Sequence, residues 1–373
     1  MARLDEFCLI NMGQSPDSST YNEAKNGLPF FQGNADFGEL YPMVRMWCTE
    51  PTKIAQKEDI LISVRAPIGA LNVANCKCCI GRGLAALRVN EDKCVQKYLW
   101  YALSNKVDEL NSKGTGSTFK AINKKILAET EIPLPPLAEQ RKIAAVLDKV
   151  SDLIAKRRQQ LTKLDELVKA RFMEMFGKLE FNNNATTIEE ISEMVTVGIA
   201  NSATHAYAAE GIVLLRNQNI RENYLDDSDL VYITPAFADK YRTKALKEND
   251  ILVTRTGYPG IACLVPKKYI GCQTFTTLIL RLKESIAILP SFVCHYINSN
   301  YGKSFVEEMK VGVAQQNFGA KALGKMPIFV PPIEKQVEFV TFIDEIEKIK
   351  VSTSHSLDKL ETLKNALMQE YFG

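Results

Sequence analysis

The chain has 373 residues, room for two or three domains, and carries 46 Lys and Arg against 44 Asp and Glu, for a net charge of +2. With 46% hydrophobic and 24% charged residues it reads as an ordinary folded protein, which excludes a disordered tail or a fibre. It has no run of 18 apolar residues that could cross a bilayer, and its near-neutrality confines any nucleic-acid binding to local patches. The opening MARLDEFCLINMGQSPDSS lacks the apolar core and cleavage site of a secretory signal. Nine cysteines, an odd number, fit a reducing cytoplasmic compartment better than a disulfide framework.

Residues 1–136 are expected to form a β-rich body. Its polar stretch SPDSSTYNEAKNG reads as loop. Asp17, Glu23 and Lys25 there have the letters of a metal-dependent nuclease, but such sites place their acids on adjacent strands. Residues 60–74, ILISVRAPIGALNVA, form a strand–turn–strand pattern with Pro and Gly in the turn, and CIGRGLAALRV reads as the next strand. Cys76 and Cys79 make a lone CxxC; a structural zinc needs four ligands, so buried thiols are the simpler reading. Gly81-Arg82-Gly83 with Ala86 imitates a dinucleotide fingerprint but opens no helix, and so offers no N-terminus to a pyrophosphate. An amphipathic helix near 97–105 and a polar, Gly-containing loop lead to Pro135-Pro136.

Residues 137–177 read as one long helix, roughly 60 Å at 1.5 Å per residue. Leu147, Ile154, Leu161, Val168 and Met175 recur every seven residues, interleaved with Ile143, Val150 and Leu164, which is the seam of a coiled coil. A second body, 178–332, follows with ILVTRTGYPGIACLV (251–265), CQTFTTLILRL and a helix near 291–300. Residues 333–373 close the chain as a second long helix with Phe339, Ile343, Ile346, Leu357, Leu360, Leu367 and Tyr371 on its seam.

The two halves repeat. Residues 133–177 align without a gap onto 329–373, matching Pro135-Pro136 with Pro331-Pro332, Gln140 with Gln336, Asp148 with Asp344 and Phe176-Gly177 with Phe372-Gly373. Upstream, Glu58-Asp59-Ile60-Leu61 resembles Asn249-Asp250-Ile251-Leu252. The chain is two copies of one unit, each a variable body followed by a constant helix. Residues 137–177 carry nine Lys/Arg and six Asp/Glu (+3), whereas 333–373 carry five and eight (−3). Opposite charge favours pairing of the two helices with each other over self-pairing. The architecture expected is α+β: two mixed bodies and two long helices that pair with each other as a coiled coil, with an internal duplication.

No catalytic motif stands out. His205, His295 and His355 are scattered, and neither a P-loop nor an Asn/Asp-Pro-Pro-aromatic methyltransferase motif occurs. Both bodies do carry matched loops rich in Arg, Asn, Gln, Ser and Thr. The candidates for DNA contact in the first are Gln32, Asn34, Ser63, Arg65, Arg82, Ser117, Thr118 and Lys120. In the second they are Arg216, Asn217, Asn219, Thr254, Arg255, Thr256, Gln273, Gln315, Gln316 and Asn317. Arg can bridge both guanine acceptors, and Asn or Gln the adenine donor–acceptor pair, while lysines such as Lys120 position the protein on phosphates.

This layout resembles the specificity (S) subunit of type I restriction–modification systems across essentially the whole chain. The resemblance rests on PLPPLAEQRKIAAVLD and FVPPIEKQVEFVTFID, and on MGQSPDSSTYNEAKNGLPFFQGNADFG, EDILISVRAPIGALN, CCIGRGLAALR and GSTFKAINKKIL. The second body has Arg216-Asn217-Gln218-Asn219-Ile220 in place of the QGNADF wording. The resemblance implies two target recognition domains (1–136 and 178–332) that each read one half of a bipartite double-stranded DNA site. The helices 137–177 and 333–373 would form an antiparallel coiled coil that separates the two domains, relates them by a pseudo-twofold and sets the gap. Two modification subunits, carrying S-adenosylmethionine and the adenine methyltransferase motifs absent here, and restriction subunits are the implied partners; the chain itself would hold no cofactor or metal and be no enzyme. A related type II recognition subunit and a coiled-coil protein-interaction scaffold are the alternatives, and the scaffold leaves the matched polar loops unexplained.

Overall fold

Residues 1–115, 120–177, 186–200, 203–312 and 316–373 are described in the computed structural model of the chain. Two units emerge: Met1–Gln160 together with Thr353–Gly373, and Leu161–Ser352. Each joins one body to part of both long helices, which run Leu137–Phe176 and Ile333–Phe372.

In the first unit an antiparallel sheet has the order Cys8–Met12, Leu84–Val89, Ile60–Ser63, Leu71–Val73. The strand Ile60–Ser63 is buried along its whole length. Its alternation explains why: Ile60 and Ile62 enter one core with Ala85, Leu87 and Tyr98, while Leu61 enters another with Leu84, Ala86 and Phe31. A strand buried on both faces reads as a continuous apolar run. The first core is closed by the helix Gln96–Ser104, the second by a five-stranded sheet in which Leu28–Phe31 runs parallel to Cys78–Ile80.

The second unit repeats this construction. Ser192–Val197, Leu278–Leu282, Ile251–Val253 and Ala262–Leu264 form its antiparallel sheet, with Ile251 and Val253 in one core and Leu252 in the other. Its second sheet pairs Ile212–Arg216 in parallel with Gln273–Phe275. Two ionic pins recur. Arg88 forks onto Asp59 at 2.8 Å through two nitrogens, and Arg281 onto Asp250 at 2.7 Å. Each carboxylate also accepts the N–H of the residue three before it, Gln56 or Lys247, closing a turn in which Glu58 and Asn249 adopt φ of 74° and 65°.

Within each unit the helix portions lie antiparallel. In the first, Phe372 at the end of the second helix is buried with Ile143, Ala144 and Leu147 near the start of the first, while Arg158 pairs with Glu361. In the second, Phe172 packs edge-on to Phe339, and Arg171–Glu338 and Asp165–Lys350 continue the same direction. The seam departs from strict heptads near Gly177. Val168, Phe172 and Phe176 are the buried positions there, four apart, because that stretch packs against its body's Phe292 as well as against the other helix.

Two further expectations are corrected. CIGRGLAALRV is two strands, Cys78–Ile80 and Leu84–Val89, in different sheets, because the Gly81–Gly83 backbone crosses between them. The polar stretch near residue 20 is not all loop, since Tyr21–Asn22 pairs with Met46–Cys48.

Candidate nucleic-acid interface

In the first body, backbone hydrogen bonds stitch four separate loop segments together. The Val64 N–H donates to the Gly83 carbonyl (2.9 Å), Gly83 N–H to Gln32 (3.2 Å), Ile122 N–H to Val64 (2.9 Å) and Ala66 N–H to Lys120 (3.2 Å). A Cβ at position 83 would stand 2.5 Å from the Gln32 carbonyl oxygen, so only glycine permits this approach. Gln32, Arg65, Arg82 and Lys120 are exposed there, and Asn34 is half-buried. Ser117 and Thr118 lie outside the described residues.

The second body gathers its loops with side chains. Asn217 donates through Nδ2 to the Thr256 hydroxyl (2.8 Å) and accepts the Arg255 N–H on Oδ1 (3.4 Å). The Arg255 Nε–H donates to Asn317 Oδ1 (3.1 Å), and the Phe318 N–H to the Arg255 carbonyl (2.9 Å). Asn217, Arg255, Thr256 and Asn317, drawn from three stretches of chain, thus form one half-buried cluster, with Gln316 beside it. Gln315 lies outside the described residues.

Several candidates serve the fold instead of a surface. Ser63 and Thr254 are buried, and their hydroxyls donate to the carbonyls of Arg65 (2.7 Å) and Tyr258 (2.6 Å), holding equivalent turns. Asn219 is buried, donating to Asp226 and Asp229 carbonyls while its Oδ1 accepts the Arg216 N–H. Gln273 is buried and donates to the Tyr241 carbonyl (3.2 Å). Arg216 is ion-paired to Asp229 at 3.0 Å, so its charge is already answered. Hydrogen bonding inside a turn and exposure to solvent call for the same residue types, which is why composition did not separate them.

The arginines of the two loops are not equivalent. The bond from Ile122 to Val64 matches that from Phe318 to Arg255, so Arg255 stands where the first body has the buried Val64, and Thr256 stands where it has Arg65. The signal was present in the letters: Val64 and Arg255 each lie five residues beyond their pinned aspartate.

Other chemistry is not supported by the geometry. Asp17 accepts the Ser19 N–H (2.9 Å) and hydroxyl (2.8 Å), bonds that hold its carboxyl below the usual range and make it a turn cap. Among the described residues no group of three His, Cys, Asp or Glu could hold a metal. Burial pushes the thiols of Cys8, Cys78, Cys94 and Cys263 up to about 12, far from nucleophilic character. No described helix is long and apolar enough to span a membrane.

A duplicated body of two sheets, each with a stitched polar loop cluster and each completed by parts of two long helices, defines a protein built of two related bodies with unequal loop clusters. A family model for the type I restriction modification DNA specificity domain matches the chain twice, over residues 1–166 and 163–362, and the chain belongs to that family. It is 44% identical over 165 residues to the chain assigned as the type I restriction enzyme MjaX specificity subunit of Methanocaldococcus jannaschii, covering 44% of this chain and 39% of that one. It is 22% identical to the type I restriction enzyme EcoBI specificity subunit of Escherichia coli over 99% of this chain and 84% of that one. A type I restriction–modification S subunit from M. genitalium shares the fold over 100% of this chain and 95% of its own, with a TM-score of 0.54 at 15% identity. The first of these matches therefore spans about two-fifths of the relative's length.

Proposed function

We propose that the chain is the sequence-specific DNA-recognition subunit of a type I restriction–modification complex. The observation that carries this reading is the double match of the DNA specificity domain, once to each body with its adjoining helix. The stitched loops supply the chemistry: exposed Arg65, Arg82 and Lys120 in one body, the Arg255 cluster in the other. Each body reads one half of a bipartite double-stranded target, and the paired helices hold the gap between the halves constant. Fixed spacing between two readers is the device by which dimeric DNA-binding proteins select half-site separation. The chain contributes recognition and no catalytic group. Adenine methylation belongs to two modification subunits that bring S-adenosylmethionine, and cleavage to restriction subunits, all in the cytoplasm.

Methyl transfer from radiolabelled S-adenosylmethionine to plasmid DNA tests this. Transfer is expected only when the chain is combined with the modification subunit of its own system. Transfer by the chain alone, or by the modification subunit equally well without it, would contradict the proposal.

A further inference from the structure

Resting on that reading, we infer that Arg255 reads a guanine in the half-site facing the second body, and that Asn317 is the residue that positions it. Three observations converge on this side chain. Its backbone is held on both sides, by Asn217 at the N–H and by Phe318 at the carbonyl. Its Nε–H is committed to Asn317 Oδ1 at 3.1 Å, which fixes the rotation of the guanidinium plane. Its two terminal nitrogens have no partner among the described residues, and the side chain is half-buried, so much of its freedom is already lost before any ligand arrives.

A planar fork with its Nε occupied and its outer edge open matches the O6 and N7 acceptors of guanine, the commonest specific arginine contact in a major groove. The neighbours distinguish this from a structural ion pair. Arg216 in the same body faces the Asp229 carboxylate, whereas Arg255 is held by neutral amides and keeps its full charge for the ligand. Asn217 is not an adenine reader in this arrangement, because both ends of its amide are spent on Thr256 and on the Arg255 backbone. The first body offers Arg65 from the next backbone position, exposed, with valine at the site equivalent to Arg255. The two halves of the target therefore receive arginine from different points of the same turn and need not share a sequence.

The test uses the full chain assembled with the modification subunit of its own system, incubated with a pool of randomised DNA duplexes, the bound fraction being sequenced. The unmodified complex is expected to enrich a two-part motif with a fixed guanine in one part. Arg255→Lys keeps the charge and loses the fork, and should reduce the preference for that guanine roughly tenfold to a hundredfold while leaving the other part intact. Asn317→Ala should erode the same preference while leaving the other part intact, and Asn317→Gln, which keeps a neutral amide oxygen, should restore part of it. If Arg255→Lys leaves the guanine fixed, or Arg255→Ala weakens all sequences alike and lowers the salt dependence, Arg255 is a bystander or a phosphate contact and the inference is overturned. Absence of any motif with the unmodified complex would instead overturn the recognition reading on which it stands.

Discussion

At the residue scale, equivalent positions of the two units have been put to different uses. The sixth residue of the helix Gln96–Ser104 is Tyr101, whose hydroxyl donates to Asp148 (2.9 Å) on the first long helix; the sixth residue of Pro290–Asn298 is His295. The His295 ring stands edge-on to Phe339 at 5.4 Å and lines a cavity of about 460 Å³ with Lys169, Glu222, Lys303 and Lys350. Burial, and secondarily Lys350, lowers its pKa to about 4, while the unfolded chain takes up that proton near 6.5. Because the folded state refuses a proton that the unfolded state accepts, the contribution is intact above about pH 6.5 and is lost as pH falls toward 4, by about 3 kcal/mol at most. His295→Gln is expected to flatten the stability of the second unit across that window, read by thermal melts from pH 8 to 4. An unchanged slope would mean that His295 charges freely in the folded protein. Tyr101, pushed up to about 12 mainly by burial, gives the first unit no such dependence. None of this was legible from three scattered histidines, because a pKa depends on what packs around the ring. The displacement of the loop arginine by one position, from Arg65 to Arg255, was legible by counting from Asp59 and Asp250, and the hydrogen bonds from Ile122 and Phe318 fix the same equivalence.

At the scale of elements, the junction between body and helix shows why some repeated letters recur. Gln140 and Gln336 are fully buried, and each performs the same three tasks. The Oε1 of Gln140 accepts the Val95 N–H that precedes the helix Gln96–Ser104 (2.8 Å), and its Nε2 donates to the Lys93 and Pro135 carbonyls. Gln336 does likewise with Leu289, Ala287 and Pro331. The double proline places the glutamine one turn into the long helix, where it ties the start of the body's helix Gln96–Ser104, or Pro290–Asn298, to the start of the long one. Gln140→Ala strands a buried N–H and two carbonyls and is expected to cost about 2–4 kcal/mol, at roughly 1–3 kcal/mol for each unsatisfied group with partial relaxation. Hydrogen exchange should show the loss concentrated in the first unit, and Gln336→Ala the converse; loss spread evenly over both units would contradict a local pin. The sequence alignment marked these residues as equivalent without revealing that they are structural. The seam was read well in its first half, through Ile143, Leu147, Val150 and Ile154, and missed Phe172 and Phe176 because a heptad count anticipates one packing partner where that stretch has two.

For the whole molecule, duplication is the organising fact, and it was the part most plainly legible, since a gapless match over the helices needs no structural knowledge. Which loop side chains stay free was the least legible, because hydrogen bonds between separate loops decide it. The helices differ in charge, nine Lys/Arg and six Asp/Glu on 137–177 against five and eight on 333–373, and the pairs Arg158–Glu361, Arg171–Glu338 and Asp165–Lys350 place those charges across the seam. Exposed pairs of this kind add little stability individually, about 0–1 kcal/mol each, but they disfavour like-with-like association. The central claim is that one chain carries two unequal readers at a set separation. Mapping every methylated adenine in the genome of cells that express the chain with its modification subunit tests it most directly. The account predicts methylation within a motif of two short, non-identical specified segments separated by a gap of constant length and unspecified sequence; a single continuous motif, or two segments at variable separation, would contradict it.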